Sequence, residues 1–244
     1  MLAALAAVTS RIELGPLVAA TSFHNPAMLA KKAATLDEIS GGRLILGLGA
    51  GWNETEYRAY GFPSHHRVAR FEEAFTIIRT LLRDGFIDFD GRYYQARDCE
   101  LLPRGPRPGG PPLMIGSEGP RMLRISLPHV RSWNAWYSWF GNDVTRMPAL
   151  LAAVDEACRA VGRNPAEVER TVAVLVQLPG GTGRDEVYRD GQTIAPLRGD
   201  SQQLADGLRA YAAVGVSHLQ LVVDPITTAS IEALAPVLEL LDRG

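Results

Sequence analysis

IELGPLVAATSFHNPAMLAKKAATLDEISGGRLILGLG, residues 12–49, holds two apolar runs around one helical pattern. Ile12 to Ala20 follows the polar Thr9-Ser10-Arg11 and has the composition of a short buried strand. Asn25-Pro26 comes next: a capping side chain, then a proline at the first helical position, where its missing N–H costs nothing. From Ala27 to Ile39, Met28, Leu29, Ala33, Leu36 and Ile39 recur near the helical period, and Gly41-Gly42 closes the segment. Arg43 to Gly49 is a second apolar strand. A strand, a helix and another apolar strand make the unit of a parallel sheet covered by helices.

The same alternation extends outward. On the N-terminal side, MLAALAAV reads as a short buried helix. On the C-terminal side, Ala50 to Pro63 reads as a Gly- and aromatic-rich loop. Arg67 to Arg83 is an amphipathic helix, with Val68, Phe71, Phe75, Ile78 and Leu82 on one face. Residues 86–102 alternate around Asp90-Gly91 as a hairpin. Strands are expected at Leu113–Gly116, Arg131–Tyr137, Thr171–Leu178 and His218–Val223. Helices are expected from Gly119-Pro120 onward, at Met147–Val161, at Ser201–Val214 and near the C-terminus, where Pro236 kinks or restarts the last one. Gly180 to Pro196 is a polar loop. No linker divides residues 1–244, so a single α/β domain is expected, either a (β/α)8 barrel or an open doubly wound sheet. Only six strands are counted, two short of a barrel.

Composition narrows the function. The 244 residues carry 25 basic and 27 acidic side chains, a net charge of −2, which speaks against nucleic-acid or membrane-surface binding through bulk charge. No apolar run reaches the ~20 residues of a membrane helix. Cys99 and Cys158 are far apart and in no redox or metal spacing, so a reducing, cytoplasmic setting is expected. Lys31 and Lys32 are the only lysines; as neighbours on a helix they cannot both face one pocket, which disfavours Schiff-base chemistry and a phosphate-loop lysine. No metal motif and no nucleophile elbow is present.

In such folds chemistry sits where strands end and helices begin. The first junction, Thr21 to Pro26, offers two hydroxyls and the imidazole of His24. The second, Gly47 to Glu54, lacks the last glycine of a dinucleotide fingerprint because Trp52 stands there; its glycines would let backbone approach a flat ligand, with Trp52, Tyr57 and Tyr60 as aromatic walls. The third, Gly116-Ser117-Glu118-Gly119-Pro120-Arg121, leads into a helix N-terminus, an anion site to which Ser117 and Arg121 can add donors. The fourth, Trp133 to Phe140, is aromatic packing with Asn134 at a strand end. Backbone, aromatics and an anion site without a nucleophile are the features of a protein that borrows its chemistry from a cofactor.

Residues 9–61, together with PPLMIGSEGPRMLRI and SWNAW, resemble the luciferase-like monooxygenases, which use FMN or the deazaflavin coenzyme F420. The resemblance implies a TIM (β/α)8 barrel of the luciferase-like type with the cofactor across the C-terminal ends of its strands. It places Thr21 and Ser22 against the ring, at a strand end that often carries a non-proline cis peptide. Gly51, Trp52 and Glu56 fall beside the ring and its side chain. Gly116, Ser117, Gly119 and Pro120 match the family's phosphate turn, which Arg121 follows, and Trp133 and Asn134 match its W-N strand end. His24 and Glu56 are the implied catalytic residues, His24 standing where Arg is usual. Arg131 replaces the Asp common before W-N, and Ser117-Glu118 replaces Gly-Ser.

Family members carry a further β-α-β unit ahead of the region matched here, which accounts for the count of six strands and points to a misassigned start or a fragmentary gene model. The implied function is F420-dependent hydride transfer to or from a small organic substrate. The alternatives are an FMN-dependent monooxygenase served by a reductase, and a truncated relative without catalysis. A homodimer is implied as well. A phosphosugar aldolase or isomerase is disfavoured by the lysine count.

Overall fold

The computed structural model describes residues 1–184, 188 and 191–243. The chain packs as two compact units, Met1–Arg131 and Ser132–Gly244. Among the described residues there are six parallel strands, three in each unit, so the α/β alternation and the strand count expected from the sequence are both found.

In the first unit, helix α1 (Leu2–Val8) precedes strand β1 (Ala19–Ala20), helix α2 (Pro26–Ser40) and strand β2 (Leu46–Gly49). β1 is far shorter than the apolar run Ile12–Ala20. Pro16 has no N–H for a ladder and the Leu17–Val18 peptide is cis, so the upstream part pairs only at the bridge from Leu14 to Leu44. The cis peptide thus precedes the strand end where the resemblance placed one. α2 starts as expected: the Asn25 side chain accepts from the Met28 N–H at 3.1 Å, and Gly41, at φ +64°, closes the helix.

α1 is less buried than its apolar sequence implies, with only Ala6 enclosed. Arg43 holds its end, donating to the carbonyls of Ala6 (2.9 Å), Thr9 (2.8 Å) and Ile12 (2.7 Å), which satisfies groups a helix C-terminus leaves open.

The expected loop 50–63 contains a helix, α3 (Glu54–Tyr60). Asn53 caps it and Gly61 ends it at φ +74°. α4 (Arg67–Asp84) buries Phe71, Ala74, Phe75, Ile77, Ile78, Leu81 and Leu82 and packs against α2. The hairpin is β3 (Phe86–Asp90) with β4 (Gln95–Glu100). Its turn is held by Glu73 of α4, whose carboxylate accepts the N–H groups of Arg92, Tyr93 and Tyr94 at 3.0, 2.8 and 3.0 Å. β5 (Leu113–Gly116) and α5 (Pro120–Ser126) complete the unit. β1, β2 and β5 pair in parallel, Ala20 opposite Gly49 and Leu48 opposite Ile115.

The second unit contains β6 (Ser132–Ala135), α6 (Tyr137–Phe140), α7 (Met147–Ala160), β7 (Glu169–Gln177), α8 (Ser201–Ala213) and β8 (His218–Asp224). Pro236 does restart the terminal helix: α9 (Thr228–Ala233) is followed by α10 (Ala235–Asp242), with the proline in its first turn. β6 stops short of the expected Tyr137, because residues 137–140 turn into α6, burying Tyr137 and Phe140. Part of the polar loop expected at 180–196 lies outside the described residues. No described helix is long and apolar enough to cross a membrane.

Candidate functional site

Strand side chains alternate, so Val18 and Ala20 lie on one face, and register brings Gly47, Gly49 and Gly116 beside them. A Cβ on Gly49 would stand 2.8 Å from Val18 Cγ2, and one on Gly116 would stand 3.2 Å from Val18 Cγ1. These glycines make room for the Val18 side chain, not for the flat ligand expected from the sequence. Gly51 likewise serves the protein. Its φ is +80° and a Cβ there would lie 2.5 Å from the Tyr57 hydroxyl.

The chain leaves β1 through a single 3-10 turn, Thr21–Phe23, that buries Thr21 and Ser22. Ser22 Oγ donates to the Ala50 carbonyl at 2.7 Å, and the Tyr57 hydroxyl donates to the same oxygen at 2.7 Å. Thus the ends of β1 and β2 and the helix α3 are tied at one atom. Thr21 Oγ1 is different: it is buried and has no hydrogen-bond partner. A hydroxyl taken out of water without a partner costs about 1–3 kcal/mol, so a water or a ligand atom that completes the bond is favoured there.

Phe23 packs on Tyr57 (centroids 4.8 Å) and Phe62 (5.1 Å). The expected aromatic wall is therefore built differently: Tyr57 is buried, while Trp52 is 80% and Tyr60 69% exposed. The Trp52 carbonyl is held from outside by Arg67 at 2.9 Å.

His24 is half-buried at the start of this junction, its N–H bonded to the Thr21 carbonyl at 3.1 Å. Burial, and to a lesser extent the charge of Lys32, hold its imidazole below the ordinary value of 6.5. Glu56 lies in the first turn of α3 and is exposed.

The turn at which an anion is expected begins where β5 ends, at Gly116. Gly119 stands at the N-cap of α5 with Pro120 next, and as a glycine it supplies no capping side chain to the first-turn N–H groups. Ser117 Oγ lies 3.4 Å from the Gly119 nitrogen. Arg121, expected as an anion donor, has its guanidinium paired with Glu72 of α4 at 2.7 Å.

Asn134 belongs to the second unit. Register sets it opposite Thr171, while Gln220 sits opposite Ala173, two residues along on the same face. Its amide nitrogen donates to Thr171 Oγ1 at 2.8 Å and to Gln220 Oε1 at 2.7 Å. Both N–H groups are thereby used, so the side chain meets a ligand only through its oxygen.

The structure therefore joins Thr21, Ser22, His24 and Gly51 at the strand ends of the first unit, with Gly116 alongside through Val18. Trp52 and Glu56 face solvent. The sequence reading missed Tyr57 as the anchor of Ala50, and Thr171 and Gln220 around Asn134. Asn53-Glu54-Thr55-Glu56, a capping residue with Glu three places on, was the signal for α3 and hence for Tyr57. Nothing local signals Thr171 or Gln220, since strand register creates that contact.

The chain was compared with known proteins. A family model described as luciferase-like monooxygenase matches residues 1–179. An F420-dependent glucose-6-phosphate dehydrogenase of Kineococcus radiotolerans is 30% identical over 174 residues, 70% of this chain and 50% of that protein. A pyrimidine monooxygenase of Caulobacter segnis is 28% identical over 229 residues, 90% of this chain and 62% of that one. The solved structure of a coenzyme F420 dependent tetrahydromethanopterin reductase from Methanopyrus kandleri superposes with TM-score 0.77 at 19% identity. It covers 97% of this chain and 84% of that one, a likeness of fold. The matches span 37% to 62% of the curated relatives' own length.

Proposed function

The chain belongs to the luciferase-like monooxygenase family, and from that premise we propose that it is an F420-dependent oxidoreductase passing a hydride between the deazaflavin and a small organic substrate. The observation that carries the reading is Thr21 Oγ1, a buried hydroxyl without a partner at the end of β1. A ring with a polar edge lying over that turn supplies the missing partner. The groups around it fit such a ring: Val18 gives a flat apolar floor, and Ser22 and Tyr57 fix the Ala50 carbonyl beside it. The uncapped start of α5, with the Ser117 hydroxyl, suits the cofactor's phosphate. Arg121, held by Glu72, contributes there through its main-chain N–H.

When bound, the deazaflavin supplies hydride donation and acceptance. The chain's own part is to position and to manage a proton. His24, kept neutral near pH 7 by burial, takes the proton of a substrate hydroxyl onto its free ring nitrogen as that substrate is oxidised, and returns it in the reverse direction. Glu56, exposed on α3, is the second acid-base candidate. The named relative that is F420-dependent supports the cofactor assignment.

A second reading, an FMN-dependent monooxygenase fed by a separate reductase, is favoured by one observation. The pyrimidine monooxygenase aligns over 90% of the chain, against 70% for the F420-dependent dehydrogenase. Parallel titrations of the chain with F420 and FMN, followed by fluorescence quenching, test both. Saturable F420 binding that exceeds FMN binding is expected. Preference for FMN turns the reading to the monooxygenase, and binding of neither, by this chain and by one extended upstream, turns it to a non-catalytic relative.

A further inference from the structure

A cavity of about 240 Å3 opens at the other end of β5, lined by Arg79, Arg83, Arg131, His129 and the Gly109-Gly110 backbone. Leu113 begins the strand and Gly116 ends it, so at ~3.3 Å per residue this cavity lies roughly 10 Å along the strand from the phosphate turn. It is separate from the site described above and owes nothing to the family reading.

Its charge is lopsided. Three arginines line it and no carboxylate does; Asp84, next to Arg83 in the chain, is paired with Arg83 at 2.7 and 2.6 Å. Arg79 is half-buried on α4 and makes no hydrogen bond or ion pair with a described residue. Burial and the neighbouring Arg83 hold its guanidinium below the usual value, with Asp84 acting in the opposite sense. A partly desolvated guanidinium with five donors and no protein acceptor has its strongest available partner in an oxyanion. Gly109, at φ +82°, keeps the rim bare, with no atom within 4 Å of where a side chain would begin, while Gly110, at φ +81°, packs against Leu82, whose Cβ would lie 2.9 Å from an added Cβ. The volume is about eight times a water molecule's ~30 Å3 share of the liquid, below the ~300 Å3 at which drug-sized pockets start.

We propose that this cavity binds a small oxyanion of the phosphate class, with Arg79 as the central donor and Arg83 and Arg131 flanking it. The ligand is either the free ion or the phosphate of a small phosphoester, and the two share the same chemistry at the guanidinium groups.

Calorimetric titration of the whole chain with inorganic phosphate, and separately with glycerol phosphate, at constant ionic strength tests the proposal. Saturable binding is expected for one or both, and the tighter of the two identifies the source. R79Q should weaken binding about tenfold or more, the size of a lost charge-assisted hydrogen bond. R97Q, which removes an exposed charge from β4, should change it less than about twofold. R131Q, at an exposed position, gives the same loss if R79Q fails to fold. Equal binding by wild type and R79Q would locate the anion elsewhere, at the α5 turn for instance, and would overturn the proposal; so would absence of binding of both ligands at millimolar concentration.

Discussion

Replacing Gly51 by alanine tests the geometry of the candidate site at its tightest point. Two costs are expected. Gly51 has φ +80°, and an L-residue in the left-handed region pays about 1–2 kcal/mol. The new Cβ would also stand 2.5 Å from the Tyr57 hydroxyl and 3.2 Å from the Ala20 Cβ, so the ring must move and its 2.7 Å bond to the Ala50 carbonyl is lost. Overpacking of this kind costs about 1–3 kcal/mol. Gly61 is a matched control: its φ is +74° and nothing lies within 4 Å of its Cβ position. Gly61→Ala should pay the backbone cost alone. The difference between the two variants, about 2 kcal/mol, corresponds to roughly 0.7–1 M in urea midpoint at a slope of about 2–3 kcal/mol per M. Urea unfolding followed by circular dichroism measures it. Gly51→Ala should also weaken F420 binding in the fluorescence titration, whereas Gly61→Ala should not. Equal losses in the two variants would show that Gly51 is not packed closely against Tyr57 in solution and that this contact does not hold the Ala50 carbonyl.

Three further outcomes are expected. Thr21→Val removes the partnerless hydroxyl at nearly constant shape, so the free protein should gain about 1 kcal/mol while cofactor affinity drops about tenfold. A destabilised Thr21→Val protein would mean the hydroxyl already has a partner. His24 binds its proton less well when folded than when unfolded, so its protonation favours unfolding. Stability should hold above pH 6.5 and decline as pH falls below it, and His24→Gln should flatten that decline in a pH series of melting curves. Asp37 is 1% exposed and accepts from Arg107 Nε at 3.0 Å and the Leu44 N–H at 3.2 Å. Its replacement by alanine should cost about 3 kcal/mol, and a loss below about 1 kcal/mol in chemical denaturation would refute a structural role for the pair.

Much of the fold was legible because its signals are local. Asn25-Pro26 and Gly41 bracket α2, the apolar stripe of residues 67–83 marks α4, and LMIG is β5 to the residue. The failures have physical causes as well. Ile12–Ala20 has strand composition, but Pro16 and the cis peptide after Leu17 keep most of it out of the ladder. Residues 50–63 look like a loop because glycine and aromatic content conceals seven helical residues, although Asn53 and Glu56 announced them. Arg131 to Tyr137 reads as one strand, but the chain turns at Trp136 so that Tyr137 and Phe140 reach the core from α6.

The site divides along the same line. Sequence by itself determined most of the strand-to-helix junctions, and therefore that Thr21, Ser22, His24 and the Gly116–Pro120 turn lie at such junctions, since caps, glycines and hydrophobic periods act within a few residues. Only the tertiary structure decided what each group does there. That Ser22 and Tyr57 share the Ala50 carbonyl while Thr21 is left without a partner, that Gly49 admits Val18, that Glu72 takes the Arg121 side chain, and that Asn134 spends its amide on Thr171 and Gln220 all follow from register and from helices crossing strands. Hydrogen bonds are satisfied within about 3 Å in space, between residues up to 86 positions apart in the chain, and no local pattern encodes that pairing.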